Sequence, residues 1–187
     1  MSRLAAFESG RNADGDYRSE VATMLQYRPE LFGQPFSEAL QDVMRGPSEW
    51  SIAERELFAA FVSSLNQCPF WTESHGAVAT VAFGSAEVVD AVLTDWRTAP
   101  IELSLRAMLG YLEAVTLRPG EVAPADVEAV REAGVSDQAM VDALLVAAYF
   151  NLIDRLADSF GFVSISNALG AEGLLEHEAK FLAKGYV

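Results

Sequence analysis

The sequence predicts an all-α protein, and three observations carry that prediction. Apolar residues recur three and four positions apart along most of the chain, as they do on one face of a helix. No alternating run has a second run with which it could pair as a strand. Hydrophobic residues make up 51% of the 187 residues, enough for a sizeable core. We therefore expect a single all-α domain over residues 17–187, after a flexible arm over residues 1–16.

The predicted helices follow one another through short connections with clear signals. Pro29 disfavours helix at the preceding residue and separates the first two helices. Ser51 and Glu54 have the spacing of a capping box, and Pro69 fits the first turn of the next helix. The helix that begins near Ser136 is nearly all apolar, which predicts burial in the core or against another subunit. The helices span about residues 17–27, 36–44, 51–65, 68–83, 85–95, 101–117, 126–133, 136–159 and 172–184.

Charge and cysteine content exclude several classes of function. Thirteen basic residues against 27 acidic ones give a formal charge of −14, and such a surface repels nucleic acids and anionic membranes. The most apolar run, Ala143–Phe150, is far too short to span a bilayer. A lone cysteine cannot form an internal disulfide and fits a reducing compartment. We expect a cytoplasmic protein without a signal peptide, a membrane partner or a nucleic-acid partner.

One group of residues has the composition of a reactive site. Cys68, Trp71 and His75 are three and four residues apart, so a helix would place them on one face. At the N-terminus of that helix, exposed amides and the helix dipole are expected to lower the pKa of the Cys68 thiol. His75 could move a proton at neutral pH. Glu56 could face His75 and orient its ring if the helices on either side of Asn66 pack antiparallel.

Ordinary structural roles compete with each of these assignments. A lone cysteine is often a small buried hydrophobe, and a histidine on an aromatic helix face is often a core residue. His177 stands between two glutamates and is expected to be solvated, and Asp154, Arg155 and Asp158 are expected to form an ion-pair cluster at an interface. No further histidine or cysteine has metal-ligand spacing, and no glycine-rich loop could hold a phosphate. We therefore expect neither a metal nor an organic cofactor.

Several short segments together resemble a known family. They are residues 27–31, 46–51, 54–57, 66–75, 131–137, 147–151 and 154–158. Their order and spacing resemble the peroxidase-related branch of the alkylhydroperoxidase D-like proteins, within the carboxymuconolactone decarboxylase superfamily. The family motif is a glutamate, eleven residues, and then Cys-x-x-Cys-x-x-x-His. Glu56, Cys68 and His75 match three of its four positions, and Trp71 replaces the second cysteine.

The resemblance implies a fold and a set of alternatives for activity. The implied fold is a helical bundle whose central helical hairpin carries the motif, in a homo-oligomer. In the family's peroxidases the second cysteine is usually assigned the attack on peroxide, and the first resolves the sulfenic acid. With Trp71 in that place, the two-thiol cycle cannot run within one motif. Either Cys68 acts as a single-cysteine nucleophile that an external thiol recycles, or redox activity has been lost.

Three hypotheses follow from the residues and the resemblance. In the first, Cys68 is the nucleophile, His75 the proton relay and Glu56 its orienting group, and they reduce a small organic hydroperoxide in a pocket lined by Phe70 and Trp71. In the second, His75 and Glu56 carry out acid–base chemistry on a lactone-like substrate, as in the superfamily's decarboxylases, and Cys68 is a bystander. In the third, the chain is a non-catalytic oligomer that binds small molecules.

Overall fold

The computed structural model describes residues 3–4, 10–11, 17–18 and 20–186. The predicted all-α class is confirmed, since helices account for most of these residues. The only strands among them are two residues each, paired antiparallel. The elements are β1 Gly10–Arg11, β2 Tyr17–Arg18, α1 Glu20–Tyr27, α2 Pro29–Phe32, α3 Gln34–Arg45, α4 Ile52–Leu65, α5 Pro69–Phe83, α6 Glu87–Asp95, α7 Leu103–Leu117, a 3₁₀ turn Pro119–Glu121, α8 Pro124–Glu132, α9 Asp137–Phe160 and α10 Ile165–Lys184.

The N-terminal segment differs from its prediction where it is described. Tyr17 belongs to β2, and α1 begins only at Glu20, so the predicted start of the first helix is wrong. Most of the predicted flexible arm, residues 1–16, lies outside the described residues. Within it, the Arg3 amide donates to the Phe160 carbonyl at 2.7 Å. Pro29 opens the short helix α2, which the sequence analysis did not predict.

Helices α4 and α5 form the central hairpin of the fold. The Ser51 hydroxyl accepts the Glu54 amide and the Glu54 carboxylate accepts the Ser51 amide, so the predicted capping box begins α4. The connection turns sharply at Gln67, whose φ is 58°. The Cys68 amide then donates to the Ser63 carbonyl at 2.9 Å, which fixes the start of α5 relative to the end of α4.

The main core lies between α4 and the helices packed around it. Its largest fully buried side chains come from α3, α4, α7 and α9, and they include Met44, Leu57, Phe58, Met108 and Phe150. One face of α9 is buried in this core, as predicted, and burial of its other face against another subunit stays a prediction. Val141, Leu145 and Leu152 on its other face are 49%, 44% and 50% exposed. None of the described helices is long and apolar enough to cross a membrane.

Helix α10 covers the motif helix α5 from outside the main core. It begins at Ile165, earlier than predicted, and it bends at Gly170, whose φ of 74° lies in the left-handed region. Leu174 and Glu178 are buried where α10 packs against α5. After α10 ends, the backbone at Gly185 returns Tyr186 toward the hairpin. The C-terminal end of the described chain therefore forms part of the wall around the candidate site.

Candidate active site

Glu56 and His75 form a buried pair across the central hairpin. His75 Nδ1 lies 2.5 Å from Glu56 Oε2, and the two side chains are 1% and 0% exposed. The predicted approach of Glu56 to His75 is thus confirmed, because α4 and α5 pack antiparallel across the short connection. With Nδ1–H donating to an ionised Glu56, the second ring nitrogen, Nε2, is left to accept a proton.

The other oxygen of Glu56 has two further partners. Arg45 Nη2 lies 2.6 Å from Oε1, and the Tyr186 hydroxyl donates to the same oxygen at 3.2 Å. Burial by itself would raise the pKa of Glu56, but His75 and Arg45 together outweigh it and hold that pKa below its ordinary value. Glu56 is therefore an ionised carboxylate inside the protein, as an orienting partner for a histidine must be.

Aromatic rings fix the orientation of the His75 imidazole. Phe150 meets it edge-on with ring centroids 4.5 Å apart, and Trp71 lies 5.3 Å away at a tilt of 35°. The Tyr186 ring is nearly parallel to the imidazole at 6.5 Å. Because these rings and the bond to Glu56 hold it from several sides, His75 is pre-oriented rather than free to rotate.

His75 borders a cavity of about 930 Å³ between α1, α3, α5 and α10. This volume lies near the upper end of the range for small-molecule sites, which are roughly 300–1,000 Å³. Phe70 and Trp71 line the cavity beside His75, and their role in a substrate pocket stays a prediction. Most of the other lining is apolar, and it includes Val21, Met24, Leu25, Phe36, Leu40, Ile165, Leu169 and Phe181. The cavity thus combines an apolar wall with one pre-oriented proton acceptor.

Cys68 is the N-cap of α5, but its thiol lies in a setting unlike the predicted one. It is fully buried in a cluster with Phe70, Ala77, Ala157, Ile165 and Leu174. Burial, more than any other cause, raises the pKa of the thiol, and nearby acidic residues of α9 raise it further. The prediction that the helix N-terminus lowers this pKa is therefore wrong, since desolvation outweighs the helix dipole.

The backbone explains why Cys68 and His75 do not meet. With φ −95° and ψ 97°, Cys68 is extended rather than helical, so the helical spacing that predicted a shared face does not apply to it. Cys68 borders a second, more open groove with Gln67, Thr72 and Asp90, whereas His75 borders the main cavity. No hydrogen bond joins the two side chains among the described residues. Cys68 as a catalytic residue stays a prediction.

Trp71 occupies the position of the missing second cysteine and contributes aromatic surface. Its ring packs edge-on against Phe70 with centroids 4.9 Å apart, and its Nε1 donates to the Ile153 carbonyl at 3.4 Å. The indole therefore bridges α5 and α9 and forms the wall between His75 and the start of α5.

The acidic residues near the end of α9 have partners that differ from the predicted ones. Asp154 is fully buried, and it accepts hydrogen bonds from Ser63 Oγ at 2.8 Å and from Asn66 Nδ2 at 2.7 Å. Burial, partly offset by these two donors, raises the pKa of Asp154 to about 6. Arg155 is exposed and donates to the Asn151 carbonyl instead. Within the described chain Arg155 therefore pairs with neither aspartate, Asp154 instead joins α4 to α9, and an ion-pair cluster at an interface stays a prediction.

Several residues at the site had no signal in the sequence. Arg45, at the end of α3, and Tyr186, 130 positions beyond Glu56 along the chain, both reach the Glu56 carboxylate. Glu178 on α10 borders the cavity and accepts from the Ser74 hydroxyl at 2.7 Å. His177, expected to be solvated, has a side chain 34% exposed, and its Nδ1 lies 3.6 Å from Glu178 Oε1 at the rim of the cavity.

Comparison with known proteins identifies relatives by structure. No family model and no curated protein matches the chain. An uncharacterized peroxidase-related protein from a Silicibacter species aligns with a TM-score of 0.72 and 28% identity, over 78% of this chain and 75% of that one. A structure from Ralstonia eutropha, described as an alkylhydroperoxidase AhpD core and uncharacterized peroxidase-related protein, aligns with a TM-score of 0.72 and 30% identity, over 79% of this chain and 77% of that one.

Proposed function

We propose that the chain, which belongs to the peroxidase-related proteins with an alkylhydroperoxidase AhpD core, is an acid–base enzyme that acts on a small molecule in the cavity beside His75. His75 is the base, and Phe70 and Trp71 contact the substrate. Glu56 orients the His75 ring and stabilises its protonated form. The observation that carries the proposal is the buried Glu56–His75 pair, in which Glu56 is kept ionised and His75 borders an apolar cavity.

The proposed chemistry is removal and return of a proton next to a carbonyl group. Nε2 of His75 accepts the proton, and the resulting positive charge is stabilised by Glu56 through Nδ1–H. The electron pair left on the substrate forms an enolate, and the same imidazolium returns the proton to it. Lactones and related carbon acids are the substrate class, as in the second hypothesis drawn from the sequence. In this proposal Cys68 is a bystander.

A single-cysteine peroxidase is the second candidate, and the names of the two structural relatives favour it. In that reaction the Cys68 thiolate attacks a peroxide oxygen, the O–O bond breaks, and a sulfenic acid and an alcohol form. An external thiol then reduces the sulfenic acid and becomes oxidised itself. The raised pKa of the Cys68 thiol argues against this candidate, because the thiolate is the nucleophile and a raised pKa leaves less of it at neutral pH.

Solvent-deuterium exchange tests the proposal without knowledge of the natural substrate. A panel of small lactones and 2-oxo acids is incubated with the protein in D₂O, and loss of the C–H signal is followed by NMR. We expect exchange with the natural chain and its loss in His75→Asn. Glu56→Gln should lower the rate by roughly 10²-fold or more, the usual size of an acid–base contribution.

Cys68→Ser is the matched variant that separates the two candidates. Exchange that persists in this variant supports the acid–base reading. Loss of exchange in Cys68→Ser would contradict it. The peroxidase would then replace it if the natural chain also reduces an alkyl hydroperoxide and mass spectrometry detects a sulfenic acid at Cys68.

We further propose that the chain assembles as a homo-oligomer through α9. The α9 stripe, formed by Val141, Leu145 and Leu152, is apolar and exposed. In an antiparallel two-fold pairing, Leu145 of one copy would face Leu152 of the second. Asp142 would then face Arg155 of the second copy, so opposite charges would meet at both ends of the stripe.

A further inference from the structure

The two lysines of the sequence lie together at the rim of the cavity. Lys180 and Lys184 are the only lysines among the 187 residues, and they are one helical turn apart on α10. Both border the cavity beside His75, and both are exposed. In a chain with 27 acidic residues, this placement concentrates positive charge at one opening.

Neither lysine has a partner within the part of the chain that the structure describes. Most arginines there are already bound: Arg45 to Glu56, Arg97 to Glu113 and Arg131 to Asp137. No hydrogen bond or ion pair joins Lys180 or Lys184 to another described side chain, although the protein offers many carboxylates. Their charges are therefore available to a ligand at the mouth of the cavity.

The remaining charges at the rim leave this opening cationic. Glu176, one turn before Lys180, also reaches the rim and is exposed. Glu178 is buried and bonded to Ser74, with the His177 ring beside it, so it faces the interior rather than the mouth. The exposed rim thus carries two ammonium groups and one carboxylate, whereas the chain as a whole carries −14.

We propose that the cavity binds an amphipathic carboxylate, with its apolar body between α1, α3, α5 and α10 and its headgroup at Lys180 and Lys184. The apolar lining removes a hydrocarbon chain from water, and the two ammonium groups neutralise the anion at the rim. The inference rests on the proposed function, since it treats this cavity as the substrate site. It places the reactive carbon beside His75, away from the headgroup.

Calorimetric titration with three probes tests the assignment: decanoate, decanol and acetate. Decanoate carries both the chain and the charge, decanol only the chain, and acetate only the charge. We expect decanoate to bind most tightly, with an affinity that falls as salt screens the lysines. Equal binding of decanoate and decanol, or no binding of decanoate, would overturn the proposal.

A charge-matched pair of double variants isolates the lysines. Lys180→Gln with Lys184→Gln should weaken decanoate binding roughly 3- to 10-fold, as expected for two exposed charge interactions, and should leave decanol unchanged. The control, Arg118→Gln with Arg131→Gln, removes the same net charge from exposed residues that do not border the cavity. An equal loss in both double variants would assign the effect to net charge and contradict the site.

His75→Asn distinguishes failure of this inference from failure of the proposed function. Decanoate binding is expected to persist in that variant, because the headgroup site does not involve His75. Lysine-dependent binding without any deuterium exchange would support the ligand class and remove the acid–base role. Deuterium exchange on short carbon acids without decanoate binding would support the acid–base role and remove the proposed ligand class.

Discussion

Among single residues, the contacts of the buried Glu56 carboxylate affect both stability and the proposed chemistry. A fully buried carboxylate is costly unless its charge is compensated, and here Arg45, His75 and Tyr186 compensate it. The same contacts keep Glu56 ionised and orient the imidazole. Stability and the proposed chemistry therefore depend on the same ion pair and hydrogen bonds.

Glu56→Gln is expected to destabilise the protein by about 3 kcal/mol or more, because it leaves the charge of Arg45 buried without its partner. Chemical denaturation followed by circular dichroism measures the change. Glu121→Gln is the control, since Glu121 is exposed and its pairing with Arg118 at 3.5 Å contributes little. A loss at Glu56 no larger than at Glu121 would show that the buried pair does not stabilise the fold.

Asp154 gives a prediction about pH. Its pKa is raised to about 6 in the folded protein, against about 3.9 in an unfolded chain. The folded state therefore binds more protons between these values, and this residue's contribution to stability falls as pH rises through the window. Over the two units, the loss is about 3 kcal/mol.

Comparison with Asp154→Asn isolates that titration, because an amide does not ionise and all other acidic groups are shared. The free energy of unfolding of the natural chain, relative to the variant, should fall between about pH 4 and pH 6.5 and then level off. Urea denaturation at a series of pH values measures it. A difference that stays constant, or rises with pH, would contradict the raised pKa.

Cys68 yields a prediction about reactivity. Because the thiol is buried and its pKa is raised, iodoacetamide at pH 8 should alkylate the folded protein far more slowly than the urea-unfolded chain. Mass spectrometry of the intact protein over time measures both rates, and the unfolded chain is the internal reference. Rapid alkylation of the folded protein at neutral pH would instead support the prediction from the sequence that Cys68 is a nucleophile.

At the scale of elements, local signals were sufficient to predict α4. Ser51 and Glu54 begin this helix by hydrogen bonds that depend only on residues three positions apart, so the sequence alone could locate it. Cys68 shows the limit of the same reasoning. Helical spacing placed it on the face of His75, but as the N-cap it has an extended backbone, and its thiol turns into another cluster.

The Ser51 cap can be measured directly. Ser51→Ala removes the acceptor for the Glu54 amide and should lower the free energy of unfolding by about 1 kcal/mol. Thermal denaturation detects this as a lower midpoint. Ser159→Ala, at an exposed position of α9, is the control and should have little effect. Equal shifts in both variants would mean that the cap contributes nothing specific.

Long-range contacts account for what the sequence could not predict about the site. The pairing of Glu56 with His75 was accessible, because the two residues are joined by a short hairpin. The contact of Tyr186 was not, since no local pattern indicates that a residue after α10 reaches back 130 positions to Glu56. The cavity forms where α10 packs on α5, so the sequence alone could not show that Lys180 and Lys184 lie at its rim.

At the scale of the whole molecule, the α9 stripe carries the last prediction. Three large apolar side chains, each close to half exposed on one face of the longest helix, are typical of a surface that another copy covers. Leu145→Glu with Leu152→Glu places like charges opposite each other in the proposed two-fold pairing. The mass measured by light scattering during size-exclusion chromatography should therefore fall toward that of one chain, 20.3 kDa.

The control for this change has the same chemistry at another place. Leu103 and Leu117, at the two ends of α7, are 66% and 52% exposed and do not belong to the stripe. Leu103→Glu with Leu117→Glu should leave the oligomer intact. An assembly that survives charges in the α9 stripe, or that dissociates equally in the control, would assign the contact between copies to another surface and leave the apolar face of α9 without a partner.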